Sequence, residues 1–222
     1  MSSEDWYRNE TWEEDIEAAF FAKLKRSRSQ RDQYLVIQAV YLKDKFPDKA
    51  LELIDIYFET KSTIYHDGRA WDVRRDVYLA VEKYDDAINC MKISLQIERE
   101  NPKFQGTSAT MYPYLIATRA IKHEYESVLA FLDSIELKSP FPDAHFKWNA
   151  ALGLIHADLK NIPKSKYHAK LALEAAEVKQ SPFRYHRSLG VVGHEHSDTI
   201  RKLEKILTAT RPIDVLNFFK RN

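Results

Sequence analysis

The chain has 222 residues, 44% of them apolar and 30% charged, and a formal net charge of +1. This is enough apolar material for one large domain or a short repeat array, and the balanced charge removes any whole-chain argument for nucleic acid or an anionic membrane. The single cysteine, Cys90, excludes an intramolecular disulfide, and no stretch reaches the ~20 apolar residues of a membrane span.

The start of the chain is acidic and has no apolar run, so it does not read as a signal peptide. With Cys90 as a small core residue of a predicted helix, the expected setting is a reducing cytoplasm. Asn9-Glu10-Thr11 matches a glycosylation sequon, which has no meaning in that setting. Thr11 stands where it would cap a helix beginning at Trp12, with Glu14 closing a capping box. That helix runs from acidic Glu13, Glu14 and Asp15 to basic Lys23, Lys25, Arg26, Arg28 and Arg31, which matches its macrodipole.

From Arg31 a two-helix pattern recurs. Tyr34, Ile37 and Tyr41 mark one helix, Phe46-Pro47-Asp48 turns the chain, and Ala50, Leu53, Ile54 and Tyr57 line a second. His66-Asp67-Gly68 interrupts. Trp71, Tyr78 and Leu79 then mark the next helix, and Ala87, Ile88, Met91 and Leu95 its partner, which Asn101-Pro102 stops. A third pair carries Tyr112, Leu115 and Ile116, then Tyr125, Val128 and Leu132. A fourth carries Phe146, Trp148, Leu152 and Gly153, then Ser165, Ala169 and Ala172 after Ile162-Pro163. Beyond Ser181-Pro182 the pattern predicts an ordered loop through His196, a helix capped by Ser197 or Asp198 and running through Leu207, and a short last helix from Val215 to Phe219.

The run Trp71, Tyr78, Tyr84, Ala87, Met91 and Pro102 resembles a tetratricopeptide repeat. Its small position at the start of the second helix recurs as Ala50, Ala87, Val128 and Ser165, which lie 37, 41 and 37 residues apart, slightly longer than the ~34-residue repeat of that family. Arg75 stands where the family has Gly, and Val128 where it has Ala. The resemblance covers roughly residues 31–179. It implies an all-α, right-handed superhelix of about four helical hairpins within a single domain, 1–222. Residues 1–30 would cap one end, and the loop and helices of 180–222 the other. Asp5-Trp6-Tyr7-Arg8-Asn9, the stretch Arg28 to Tyr34, and Phe183-Arg184-Tyr185-His186 further resemble a group of bacterial tetratricopeptide-like proteins with no assigned activity. That implies a bacterial cytosolic setting and no chemistry.

In such repeats the first helices line a concave groove that binds a protein or peptide. Arg69, Asp72 and Asp76 fall on one helical stripe, and with the Trp71–Val73–Tyr78 stripe in the core they are expected to look into the groove. Leu35, Ala39 and Lys43 join them from the first pair, Ala117 from the third, and Lys147 and Leu154 from the fourth. An ordinary solvated helix face carries the same charges. Some family members hold a chaperone's C-terminal carboxylate through a Lys/Asn/Arg clamp. Here the matching stripe carries Leu35, Ala39, Asp72 and Asp76, and its carboxylates would repel that ligand.

Two further readings compete with the groove. Phe183, Arg184, Tyr185 and His186 combine stacking surface, a cation and a titratable ring, as the pocket of a small-molecule sensor or an enzyme would. Lys23 to Arg31 forms a basic cluster of the kind that binds RNA. Trp6, Arg8 and Trp12 would close the pocket or cap the array. His194-Glu195-His196 lacks the spacing of a helical zinc motif, and His145, His156 and His168 have no ligand spacing, so no metal and no cofactor are expected. Gly190-Val191-Val192-Gly193 has no following Lys-Ser/Thr and is no phosphate loop. With no nucleophile elbow either, the chain reads as a binding protein and not an enzyme, with its oligomeric state left open.

Overall fold

The computed structural model describes residues 5–101 and 106–209. They form ten α-helices and no strand: α1 (Glu14–Arg26), α2 (Arg31–Leu42), α3 (Pro47–Thr60), α4 (Asp67–Ala80), α5 (Tyr84–Glu100), α6 (Ser108–Thr118), α7 (Tyr125–Ser134), α8 (Pro142–Asp158), α9 (Ile162–Glu177) and α10 (Ser197–Thr208). None of these helices is long and apolar enough to cross a membrane. The chain divides into two compact units, residues 1–109 and 110–222, and the division falls inside the first turn of α6.

In the first unit α2 packs on α3, α4 on α5, and α3 on α4. Pro47 opens α3, where its missing N–H costs nothing. Leu35, Ala39, Leu53, Ile54 and Tyr57 close the core between the helices. The N-terminal segment is an aromatic lid on this core, with Trp6 4.8 Å from the ring of Tyr34 and Tyr7 4.4 Å from it. Asn9 anchors the lid. Its backbone N–H and side-chain Nδ2 both donate to Oε1 of buried Gln38, which returns a bond from Nε2 to the Asn9 carbonyl at 2.8 Å. The capping box expected at Thr11 does not form. Trp12 is buried against Phe20, ring centroids 5.4 Å apart. That holds Glu13 extended, and the helix begins at Glu14 without a side-chain cap. Burying an indole outweighs a cap worth about 1 kcal/mol.

The four small positions at the start of the second helices, Ala50, Ala87, Val128 and Ser165, are all fully buried. Three hairpins also share a turn that the sequence does not announce. Glu82, Ala120 and Lys160 each take a left-handed conformation, with φ of 58, 53 and 61°. In each, the following residue's N–H reaches five residues back, from Lys83 to Tyr78 O, Ile121 to Ile116 O and Asn161 to His156 O. This is a Schellman closure of the first helix, here without glycine.

In the second unit α8 packs closely on α9, and α10 on both. The closeness comes from Gly153, where a Cβ would stand 3.2 Å from the backbone nitrogen of Ala169 and 3.3 Å from Leu203. Ser165 Oγ donates to the Gly153 carbonyl at 2.8 Å across the same contact. Neither Ser197 nor Asp198 caps α10. The Ser197 hydroxyl instead donates to the His194 carbonyl, closing a 3-10 turn at His194–His196. The helix expected at Val215–Phe219 lies outside the described residues.

Candidate functional site

The charged stripe expected to face a ligand is used up inside the first unit. Arg75, between Asp72 and Asp76, is buried. Its Nε and Nη2 donate to Asp76 Oδ1 at 2.9 and 2.8 Å, and its Nη1 donates to Asp72 Oδ1 and, at 3.0 Å, to Thr107 Oγ1. Lys43 pairs with the other oxygen of Asp76. Burial raises the Asp72 carboxyl above its usual range, against the pull of Arg75. Leu35 and Ala39 are core residues with no exposed surface. Of this half of the expected groove only Arg69 is exposed. Helical spacing places Asp72 and Asp76 on one stripe correctly, but it says nothing about a buried cation that consumes them.

The other half fares similarly. Ala117 and Leu154 are buried. Lys147 donates to Asp143 Oδ2 at 2.7 Å, and Asp143 Oδ1 lies 3.2 Å from His196 Nε2. His196 Nδ1 is 2.8 Å from the hydroxyl of Tyr114, which also bonds Thr199. Burial pushes the Asp143 carboxyl up, but its bonds to His196 and Lys147 outweigh that and hold it below its ordinary value. These groups clasp α6, α8 and α10 together.

Phe183, Arg184, Tyr185 and His186 lie on an exposed turn. The His186 N–H bonds the Phe183 carbonyl at 3.0 Å, Tyr185 is 85% exposed, and Phe183 stacks on Phe141 at 5.4 Å. Trp6 and Trp12 serve the core of the first unit, as described above. Lys23, Lys25, Arg26 and Arg28 are exposed, and Lys23 sits 5.8 Å from the Trp6 ring. Among the described residues no three His, Cys, Asp or Glu side chains are grouped to hold a metal.

A concavity among the described residues of the second unit lies elsewhere. A groove of about 1060 Å³ runs between α7 and α9 with α8 as its floor. Leu129 and Leu132 of α7, Leu152 of α8, and Leu159 in the turn supply apolar surface. Leu159 and Tyr167, both more than half exposed, lie along the groove. Glu126 and Asp133 lie along the α7 wall, and Lys164 and His168 along the α9 wall. At one end Asp158 accepts from Tyr125 at 2.7 Å and pairs with Lys122 at 3.8 Å.

His156 and His168 face each other across the α8–α9 pair, ring centroids 6.1 Å apart and 21° from parallel. Asn149 orients the second ring. Its Nδ2 donates to the His145 carbonyl at 3.0 Å, which directs its Oδ1 toward His168 Nδ1, also at 3.0 Å. The proton of neutral His168 is therefore on Nδ1, and Nε2 is left as an acceptor. Burial, then His156 and Lys164, pull His168 down to about 4. Burial and Lys164 also lower His156, whose Nδ1 is sealed from solvent without a hydrogen-bond partner among the described residues. Both rings are thus neutral near pH 7. Ligand spacing along the sequence does not reveal this pair. Its signal is the hairpin: a turn at Leu159–Ile162 brings residues 156 and 168 side by side.

No family model, no curated protein and no solved structure matches this chain.

Proposed function

We propose that this chain is a tetratricopeptide-like repeat protein of the cytoplasm that binds a segment of a protein partner in the groove between α7 and α9. Three features support the repeat reading: the recurrent helix pairs, the four buried small positions, and the left-handed turns at Glu82, Ala120 and Lys160. The observation that carries the binding reading is the groove itself, about 1060 Å³ with Leu159 and Tyr167 exposed along it. Apolar surface left open in this way gains free energy when a partner covers it. The stripe of Arg69, Asp72 and Asp76 plays no part in this reading, because Arg75 and Lys43 hold its carboxylates.

A retention experiment with Ala130→Arg tests the function. Ala130 is exposed and lines the groove, so the variant fills the space without entering the core. Wild type and a Tyr185→Ala control should retain the same partner from a cell lysate, and Ala130→Arg should lose it. A partner held equally by all three would show that the groove is not the binding surface.

A further inference from the structure

We infer that the occupant of this groove is an amphipathic helix of two to three turns, basic along the flank facing α7 and acidic on the flank facing Lys164. The inference rests on the proposed function and names the class of partner.

Backbone chemistry favours a helical occupant. The walls are helices, whose main-chain N–H and C=O groups are already bonded to each other. An extended peptide laid here would leave its own backbone groups unpaired against an apolar floor, whereas a helix satisfies its own. The size agrees. A helix with its side chains is ~10 Å across and rises 1.5 Å per residue, so about 1060 Å³ corresponds to roughly nine residues. The apolar strip along such a helix would cover Leu129, Leu152, Leu159 and Tyr167.

Charge decides the flanks. Glu126 and Asp133 lie two turns apart on α7, and neither has an ion-pair partner among the described residues. On the opposite wall Lys164 is likewise unpaired through its ammonium group, while His168, one turn later on the same face, is neutral and adds no charge. Lys122 and Asp158 neutralise each other at the end of the groove. The unmatched charge is therefore acidic on one wall and basic on the other. A helix with lysines along one flank and a carboxylate on the other would complement both, whereas a uniformly acidic helix would meet repulsion from α7.

The test uses the full-length protein and three labelled peptides of 14 residues, an arbitrary design length of about four turns. All have leucines at i, i+3, i+4 and i+7. The first has a Lys flank and a Glu flank, the second has Glu on both, and the third is the first with a central proline. Fluorescence anisotropy should show the Lys/Glu peptide binding wild type at least about tenfold more tightly than either of the others. The variant Glu126→Lys/Asp133→Lys should reverse the preference in favour of the all-acidic peptide. Equal binding of the three peptides, no binding of the first, or no reversal in the variant would overturn the proposal. Retention of a natural partner that Ala130→Arg abolishes but the Lys/Glu peptide cannot displace would overturn the helical occupant alone, and leave the groove as the binding surface.

Discussion

Arg75 and Asp76, neighbours in sequence, are joined side chain to side chain, with Nε and Nη2 of the buried guanidinium converging on one carboxylate oxygen at 2.9 and 2.8 Å. Asp72, Thr107 and Ser108 accept from Nη1. Removing the cation leaves Asp76 with Lys43 alone and strips Asp72, which burial already pushes upward, of its cation. Arg75→Met should therefore cost about 3–5 kcal/mol in urea unfolding. A loss within ~0.5 kcal/mol, the usual surface value, would show that the cluster is solvated. Asp76→Arg should also destabilise, since it would set a third cation beside Arg75 and Lys43.

Glu98 gives the first unit an alkaline weakness. Burial pushes its carboxyl up to about 7 from 4.5, with Asp72 adding to the rise and the Gly106 N–H opposing it. The native state then binds more protons than the unfolded chain between these values, so stability falls as pH rises from 4.5 to about 7. Glu98→Gln keeps an acceptor for Gly106 and cannot ionise. Its melting temperature relative to wild type should climb between pH 4 and pH 8, and a constant difference would refute the buried charge.

His168 acts in the opposite direction. Its native value of about 4 lies below the ordinary 6.5, so the unfolded chain binds the extra proton. Stability is complete above pH 6.5 and is lost as pH falls toward 4. Proton NMR should show the His168 ring titrating near 4, with the proton of its neutral form on Nδ1. Asn149→Ala should release that tautomer preference. A midpoint near 6.5 would mean that the groove wall is wet.

The left-handed turns are open to improvement. A non-glycine residue at φ near 60° costs about 1 kcal/mol, and Glu82 and Lys160 are both exposed. Glu82→Gly and Lys160→Gly should each raise stability by about 0.5–1 kcal/mol in thermal unfolding. No gain at either site would mean that the glycine's freedom in the unfolded chain cancels the relief.

Two glycines should behave oppositely. Gly153 holds α8 against α9, and Gly153→Val would drive a side chain into the Ala169 backbone and Leu203, costing about 1–3 kcal/mol. Nothing lies within 4 Å of a Cβ at Gly68, in the first turn of α4. Gly68→Ala should be neutral or stabilising by up to ~1 kcal/mol. Chemical denaturation of the two variants side by side checks the contrast.

The helices were legible because apolar periodicity is a local signal. The spacing of Tyr34, Ala50, Trp71, Ala87, Tyr125 and Ser165 predicts helices where helices stand. Pro47, Pro142 and Pro163 open α3, α8 and α9 as their fixed φ allows. Element ends were less legible. Trp12 and Ser197 each had a local role available as part of a cap or turn, and long-range packing or a neighbouring turn gave them another.

The candidate site was hidden for a related reason. Whether Asp72 and Asp76 meet solvent or Arg75 depends on burial, and whether His156 meets His168 depends on how two helices fold back on each other. Helical character, the paired arrangement and the small buried positions were thus determined by the sequence alone, since each follows from interactions within a few turns. Which charges remain unpaired, which ring nitrogen is bare and where the groove opens were decided only by the tertiary structure. Those properties belong to contacts between residues far apart in the chain, and neither composition nor spacing encodes them.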